Sequence, residues 1–428
     1  MKNRDYSAFK GKRILFLGGH ILTVHLVNKA HEMGMYTIVT DYIPDAPAKK
    51  CADKAYDIST LDIDALVDMA RKENVDGVFT GYVDVNLAPC RKVCERLGLP
   101  FYATLEQLDA TMNKVNFKNN CRKYDIPVVQ DIPAQYLTNG EFMKISYPVI
   151  VKPADSYSSK GISVCHQPEE MPGAIKEALA VSTCGQYLVE KYVEADDVYL
   201  YFTVQDGYVS LSAMADRLLN NEQYGCAPQP VGYFFPSKYL KLYMENVHSK
   251  VQAMIQGLGI ENGSFFMQGF VIEDNIVFFE MGLRLSGGAG YLQIANQNEI
   301  NQLEMHLRYA VTGKFDGWNL KEYDNPDFKK PACVLVILLR DGVISKISGL
   351  ETVMAHKNIF DIVQFKHEGD ILHARGTLNQ VFARIYCCAE REEELHDTIS
   401  FVKSNLKISD ENDKNMILNL FDEDEVYE

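Results

Sequence analysis

The sequence predicts a multidomain protein of mixed α/β and α+β class, and three observations predict it. Its 428 residues exceed what one ordinary hydrophobic core organises. Strand and helix signals alternate through the first hundred residues, then give way to a mixed region with many short strands. A polar stretch from Asn319 to Lys330, containing Pro326, then reads as a linker into a last strand-rich segment. These shifts divide the chain into residues 1–106, 107–318 and 319–428.

In the first segment Arg13–Leu17 is an apolar strand ending at Gly18-Gly19, followed by helical periodicity from Ile21 to Met33. Tyr36–Thr40 and Gly77–Thr80 are further strands, with helices over Asp62–Lys72 and Leu87–Leu97. Strands separated by helices imply a parallel sheet. Gly18-Gly19 lacks the full GxGxxG spacing, so a tight strand-to-helix turn fits better than nicotinamide binding, and His20 reads as a polar cap at the helix start.

The second segment opens with a helix over Leu108–Tyr124. Strands follow at Val149–Lys152, Ile162–Cys165, Tyr187–Val189, Val198–Gln205 and Tyr208–Met214. Asp216-Arg217 reads as a surface turn or a substrate-facing pair, and Tyr239–Leu258 as one amphipathic helix. Phe265–Ile272 and Ile276–Glu280 flank Asp274-Asn275 as a hairpin. In the third segment Val334–Leu339, Val343–Ile347 and Val381–Cys387 are strands, Glu392–Leu406 is a helix, and the acidic tail Asp422–Glu425 is solvated.

Composition narrows the function. A net charge of −15 argues against general affinity for nucleic acid. No run approaches the apolar length needed to span a bilayer, and the polar start has no signal-peptide core, so a cytoplasmic location is expected. Ten cysteines without a CxxC pair suit reduced thiols better than disulfides or zinc.

An ordered set of residue types carries the chemistry. Lys114 lies on the helix that opens the middle segment, and Tyr147-Pro148-Val149-Ile150-Val151-Lys152-Pro153 is a buried strand ending in a second lysine. The small-residue loop Ala154–Gly161 follows, with Ser156, Ser158, Ser159, Lys160 and Gly161. Next come Glu190-Lys191-Tyr192-Val193, then Gln268 and Glu280 on the two hairpin strands, then Arg284. Two lysines can oppose nucleotide phosphates, and a Ser/Gly loop leaves backbone N–H groups free to cradle one. Paired oxygen ligands suit Mg²⁺ shared with phosphate oxygens.

In this order and spacing the residues resemble the ATP-grasp superfamily, in the branch containing biotin carboxylase, the carbamoyl-phosphate synthase large subunit and the purine-pathway carboxylate–amine ligases. The resemblance covers nearly the whole chain. It implies a Rossmann-like pre-ATP-grasp domain, an ATP-grasp domain with a lid over about 147–215, and a C-terminal β-rich domain. It further implies that Lys114 and Lys152 contact ATP phosphates and that Ser156–Gly161 form the phosphate lid, Lys160 adding charge in catalysis. Glu190, with the backbone of Lys191 and Val193, would hold the adenine. Asp197, or Asp196 beside it, would accept from the ribose hydroxyls. Gln268 and Glu280 would bind Mg²⁺, with Mn²⁺ as an alternative ion, and Arg284 would stabilise the transferred phosphoryl.

The implied reaction joins a small-molecule carboxylate to an amine through an acyl phosphate, near Asp41, Tyr82–Asp84 and Arg284. Nucleic-acid and membrane partners are not expected, and a homodimer is compatible with the resemblance. Activation of bicarbonate is the alternative chemistry, His367–Asp370 resembling part of those carboxylases; a nucleotide-binding regulator without turnover is the alternative class. One departure bears on both. Gly282 stands where the family commonly has an asparagine that binds a second metal, in Glu280-Met281-Gly282-Leu283-Arg284.

Overall fold

The fold was taken from a computed structural model, which describes residues 5–157, 159–220, 228–373 and 378–418. The acidic tail and Ser158 therefore lie outside the described residues.

Near the N-terminus, β1 (Arg13–Leu17), β2 (Tyr36–Thr40), β3 (Lys54–Tyr56) and β4 (Gly77–Phe79) form a parallel sheet in the order β3-β2-β1-β4. The glycines after β1 make a tight turn: Gly19 N–H donates to Asp41 Oδ2 at 2.7 Å, and an added Cβ on Gly19 would meet the Ala46 Cβ at 2.6 Å. His20 is not the cap expected of it: its Nδ1 accepts from Leu22 N–H at 3.3 Å, but the helix Thr23–Glu32 has Leu22 at its N-cap position and no side-chain cap.

Two sheets build the centre. The smaller has β5 (Val149–Pro153) between β6 (Ser163–Cys165) and β7 (Tyr187–Lys191), all antiparallel, with the helix Met171–Val181 against it. The larger contains β8 (Asp196–Gln205), β9 (Tyr208–Asn220), β10 (Gln229–Phe235), β11 (Gly263–Ile272) and β12 (Asn275–Gly282). It continues into the C-terminal segment through β13 (Ala332–Leu338), β16 (Ile359–Gln364) and β18 (Val381–Cys388). The order is β12-β11-β8-β9-β10-β13-β18-β16, eight antiparallel strands. The short β14 (Gly342–Val343) pairs with β17 (Ile371–Leu372), and β15 (Lys346–Ser348) with β19 (Lys407–Ser409).

Several elements differ from the sequence expectation for identifiable reasons. The helix expected over Leu108–Tyr124 is two, Leu105–Met112 and Lys114–Lys123. Asn113 leaves helical geometry at ψ 117 and its side chain caps the second helix, accepting from Val115 N–H at 3.0 Å. Tyr239–Leu258 likewise divides into Leu240–Asn246 and His248–Gly257. Residues 147–215 are shared between sheets: the small one ends at Lys191, and β8 and β9 belong to the large one. Asp216-Arg217 is not a turn, since β9 runs through both to Asn220. The stretch Asn319–Lys330 contains a helical turn, Leu320–Tyr323.

Candidate active site

The sequence-predicted lysines converge on carboxylates. Lys152, at the end of β5, is buried and places Nζ 2.6 Å from Glu190 Oε2 on the adjacent β7. Glu190 is buried too, and its other oxygen takes Nζ of Lys118 at 2.6 Å. Lys118, fully buried, also pairs with Asp131, which pairs in turn with Arg122. Lys118 was not singled out from the sequence. The available signal was its spacing: it follows Lys114 by four residues, so both project from one face of the helix Lys114–Lys123.

Lys114 itself reaches across to the loop after β5. Its Nζ donates to the Ser156 carbonyl at 2.7 Å and lies 3.9 Å from Glu280 Oε1. Ser156 Oγ donates to the Lys160 carbonyl at 2.9 Å, closing the loop on itself. Ser159 and Gly161 both have positive φ, 58° and 70°. The Lys160 side chain is exposed, with Nζ 5.4 Å from the Tyr157 ring centre. Lys191 is exposed, its N–H bonded to the Gln130 carbonyl at 3.0 Å, and Val193 is half-buried just beyond β7.

Gln268 and Glu280 face each other across the β11–β12 hairpin, as adjacent strands require. Arg217 joins this group from β9: Nη1 donates to Gln268 Oε1 at 2.9 Å, and Nε and Nη2 clasp Asp197 at 2.8 and 2.5 Å. Burial pushes the Asp197 carboxyl upward, and the Arg217 cation opposes that push. Asp196 is exposed and faces Tyr239 and Lys238. Position 282 has a packing reason to be glycine. A Cβ there would lie 2.5 Å from the Phe266 ring, so no asparagine fits without moving that ring.

Arg284 follows the hairpin and crosses to the N-terminal unit. Its Nε and Nη2 donate to the two carboxylate oxygens of Asp84 at 2.7 and 2.6 Å, and the guanidinium lies 4.9 Å from the Phe266 ring centre. Burial works against the cation, but Asp84 outweighs it and holds the arginine above its usual range. Asp84 and Tyr82, named with the acceptor region, are both brought there; the buried Tyr82 ring stacks on Tyr291 at 5.4 Å. Asp41 stays at the Gly18-Gly19 turn.

Comparison with known proteins gives this arrangement a family. Residues 109–224 match the model for the D-ala D-ala ligase C-terminus. The formate-dependent phosphoribosylglycinamide formyltransferase of Sulfurisphaera tokodaii is 26% identical over 314 residues, 71% of this chain and 77% of that protein. The L-amino acid ligase of Bacillus licheniformis superposes with a TM-score of 0.75 at 18% identity, over 94% of this chain and all of that one (100%). The biotin carboxylase of Campylobacter jejuni superposes with a TM-score of 0.74 at 18% identity, covering 96% and 93%. Residues 109–224 thus match an ATP-grasp domain, and the chain shares its fold with solved ATP-grasp ligases. Solved ATP-grasp structures of this fold hold ADP and magnesium, so nucleotide and Mg²⁺ are general features of the group. Among the described residues, no helix is long and apolar enough to cross a membrane.

Proposed function

We propose that the chain uses ATP to activate a carboxylate as an acyl phosphate, which an amine then attacks to form a C–N bond. The observation that carries this reading is the convergence of Lys114, Lys152, Gln268 and Glu280 beside Arg284, at the junction of the two central sheets and the N-terminal unit. A carboxylate oxygen would attack the γ-phosphorus while ADP leaves with its bond electrons. The amine would then attack the acyl carbon, phosphate would depart and the nitrogen would lose a proton.

Lys114 and Lys152 would offset phosphate charge, and the loop Ser156–Gly161 would cover the phosphates and keep water from the acyl phosphate. Arg284 would face the incoming carboxylate. Glu280 and Gln268 supply one carboxylate and one amide oxygen, which fits a Mg²⁺ that completes its shell with phosphate oxygens and water. When bound, that ion would neutralise charge on the transferring phosphoryl. Phe266 leaves no room at position 282 for a further side-chain ligand.

The test is ADP formation from Mg-ATP across acids and amines. Formate with phosphoribosylglycinamide comes first, because relatives named for that reaction align over as much as 87% of the chain. Bicarbonate and amino-acid pairs follow. ADP release that rises only when one acid and one amine are both present supports the ligase reading. Absence of nucleotide binding, read as no Mg-ATP-dependent rise in melting temperature, overturns it.

A further inference from the structure

The parallel sheet of the N-terminal unit, ordered β3-β2-β1-β4, changes direction at β1: the chain moves outward to β2 and β3, then returns to place β4 on the other side of β1. Such a switch point leaves a crevice beyond the carboxyl ends of the strands, where ligands of open α/β sheets bind. Four loops border it, residues 18–22, 41–46, 57–62 and 80–86. Asp84, which clasps Arg284, belongs to the last of them.

Hydrogen bonds draw these loops into one rim. Asn86 Nδ2 donates to the Leu17 carbonyl at 3.1 Å, and Thr60 Oγ1 donates to Asn86 Oδ1 at 2.7 Å. Leu61 and Val85 are the chain neighbours of that bonded pair, and Val85 also follows Asp84. On the other side Lys49 ties two loops together, donating to the Asp41 and Ile43 carbonyls and to Asp57 Oδ1. Of the twelve large apolar side chains exposed among the described residues, Tyr42, Ile43, Leu61 and Val85 lie in these loops. Leu61 is 59% and Val85 40% exposed. Apolar groups gathered along one sheet edge, rather than scattered singly, mark a binding surface.

Charge selects what can bind there. The four loops contain five aspartates, Asp41, Asp45, Asp57, Asp62 and Asp84, and no lysine or arginine. Lys49 is buried behind them with its ammonium protons engaged, and Arg284 is held by Asp84. A phosphate group would meet repulsion along this rim. An amine arriving as an ammonium ion is attracted, and an apolar chain behind it finds apolar partners.

We propose that Leu61 and Val85 form a side-chain subsite for the acceptor, so that the amine joined here carries an apolar chain and not a phosphorylated one. The inference rests on the acyl-phosphate reading above, which puts the acceptor beside Asp84 and Arg284, and it names the acceptor class within that reading.

The experiment measures ADP formation by the full chain with Mg-ATP, pairing formate, bicarbonate and amino acids as acids with three amines. Glycinamide and leucinamide differ by an apolar chain and have no carboxylate of their own; phosphoribosylglycinamide is the phosphorylated comparison. Leucinamide should show a KM about tenfold below that of glycinamide, with kcat within about threefold, and phosphoribosylglycinamide should be inert. Changing Leu61→Ser and Val85→Ser together should cut the leucinamide-to-glycinamide ratio of kcat/KM about tenfold, whereas Leu61→Met should keep it. Preference for phosphoribosylglycinamide would overturn the proposal while leaving the ligase reading intact. So would equal KM values for leucinamide and glycinamide, or an unchanged ratio in the double variant. An unchanged ratio accompanied by a shift in the mass of the chain in solution would make the rim an interface between copies instead. ADP formation with no pair at all would remove the ligase reading itself, and this subsite with it.

Discussion

At the nucleotide end, the contacts that place the lysines span modest distances along the chain, 42 residues from Lys114 to Ser156 and 72 from Lys118 to Glu190. At the acceptor end, Arg284 reaches Asp84 across 200 residues and Arg384 reaches Gly287 across 97. The first end is a set of cations already held by carboxylates within one segment. The second is assembled only where the N-terminal unit, the segment after β12 and the last strands meet. The nucleotide end should therefore survive perturbations that loosen the packing between segments, and the acceptor end should not.

The largest effect expected at the nucleotide end is that of Glu280→Ala. It removes the carboxylate proposed for the metal, so metal-dependent turnover should disappear while nucleotide affinity falls far less, as kcat and calorimetry would show. A variant keeping wild-type turnover would put the metal elsewhere. At the acceptor end Arg284→Lys should lose turnover on the order of a hundredfold, because lysine cannot reproduce a two-pronged contact. The Asp84 pair complicates this, since breaking a buried ion pair can cost about 3–5 kcal/mol of stability. A melting curve beside kcat separates the outcomes: lost stability that accounts for the lost activity would make Arg284 a fastening between segments.

The same division governed what could be read from sequence. Lys152, Glu190 and Glu280 were open to a sequence reading because each ends or follows a local strand pattern, and Lys114 and Gln268 because they lie within a helix pattern and a strand pattern. Arg217 was read as part of a surface turn or a substrate-facing pair because the strand signal faded at Met214, whereas β9 continues to Asn220 and turns Arg217 toward Asp197. The strand β10 was missed altogether: Pro230 and Gly232 interrupt its pattern, although it joins the central strands to the C-terminal ones. A boundary near 319 suggested a separate last domain, but β13, β18 and β16 extend the same sheet. Pairing across such distances leaves no local mark.

Lys118 offers a finer test of the nucleotide end. Glu190 now holds Lys118 and Lys152 together, so Lys152 can turn toward a phosphate while Lys118 keeps Glu190 neutralised. Lys118→Met should lock Lys152 onto Glu190 and weaken Mg-ATP binding about tenfold, with little change in kcat at saturation. Unchanged affinity would mean that Lys152 does not leave Glu190 when nucleotide binds.

The smallest effect concerns the seam between the N-terminal unit and the helix Gln302–Thr312. His306 on that helix is buried, stacks on Phe79 of β4 at 5.1 Å, and meets Tyr102 and Phe315 edge-on. Its Nε2 contacts Ser264 Oγ at 3.1 Å, and its Nδ1 has no partner. Burial alone pushes its pKa down from 6.5 to about 3. An unfolded chain takes up a proton near pH 6.5, whereas the folded chain resists until about pH 3. Stability from this group is thus complete above 6.5 and declines as pH falls, by about 1.4 kcal/mol per unit, or about 2 kcal/mol by pH 5. His306→Phe cannot take up that proton, so its melting temperature should fall less between pH 7 and pH 5 than that of wild type, whatever its absolute value. Parallel melting-temperature profiles for the two proteins would show that His306 does not couple this seam to pH. A shallower profile for the variant would establish that coupling. It would also predict that acid loosens the acceptor end before the nucleotide end.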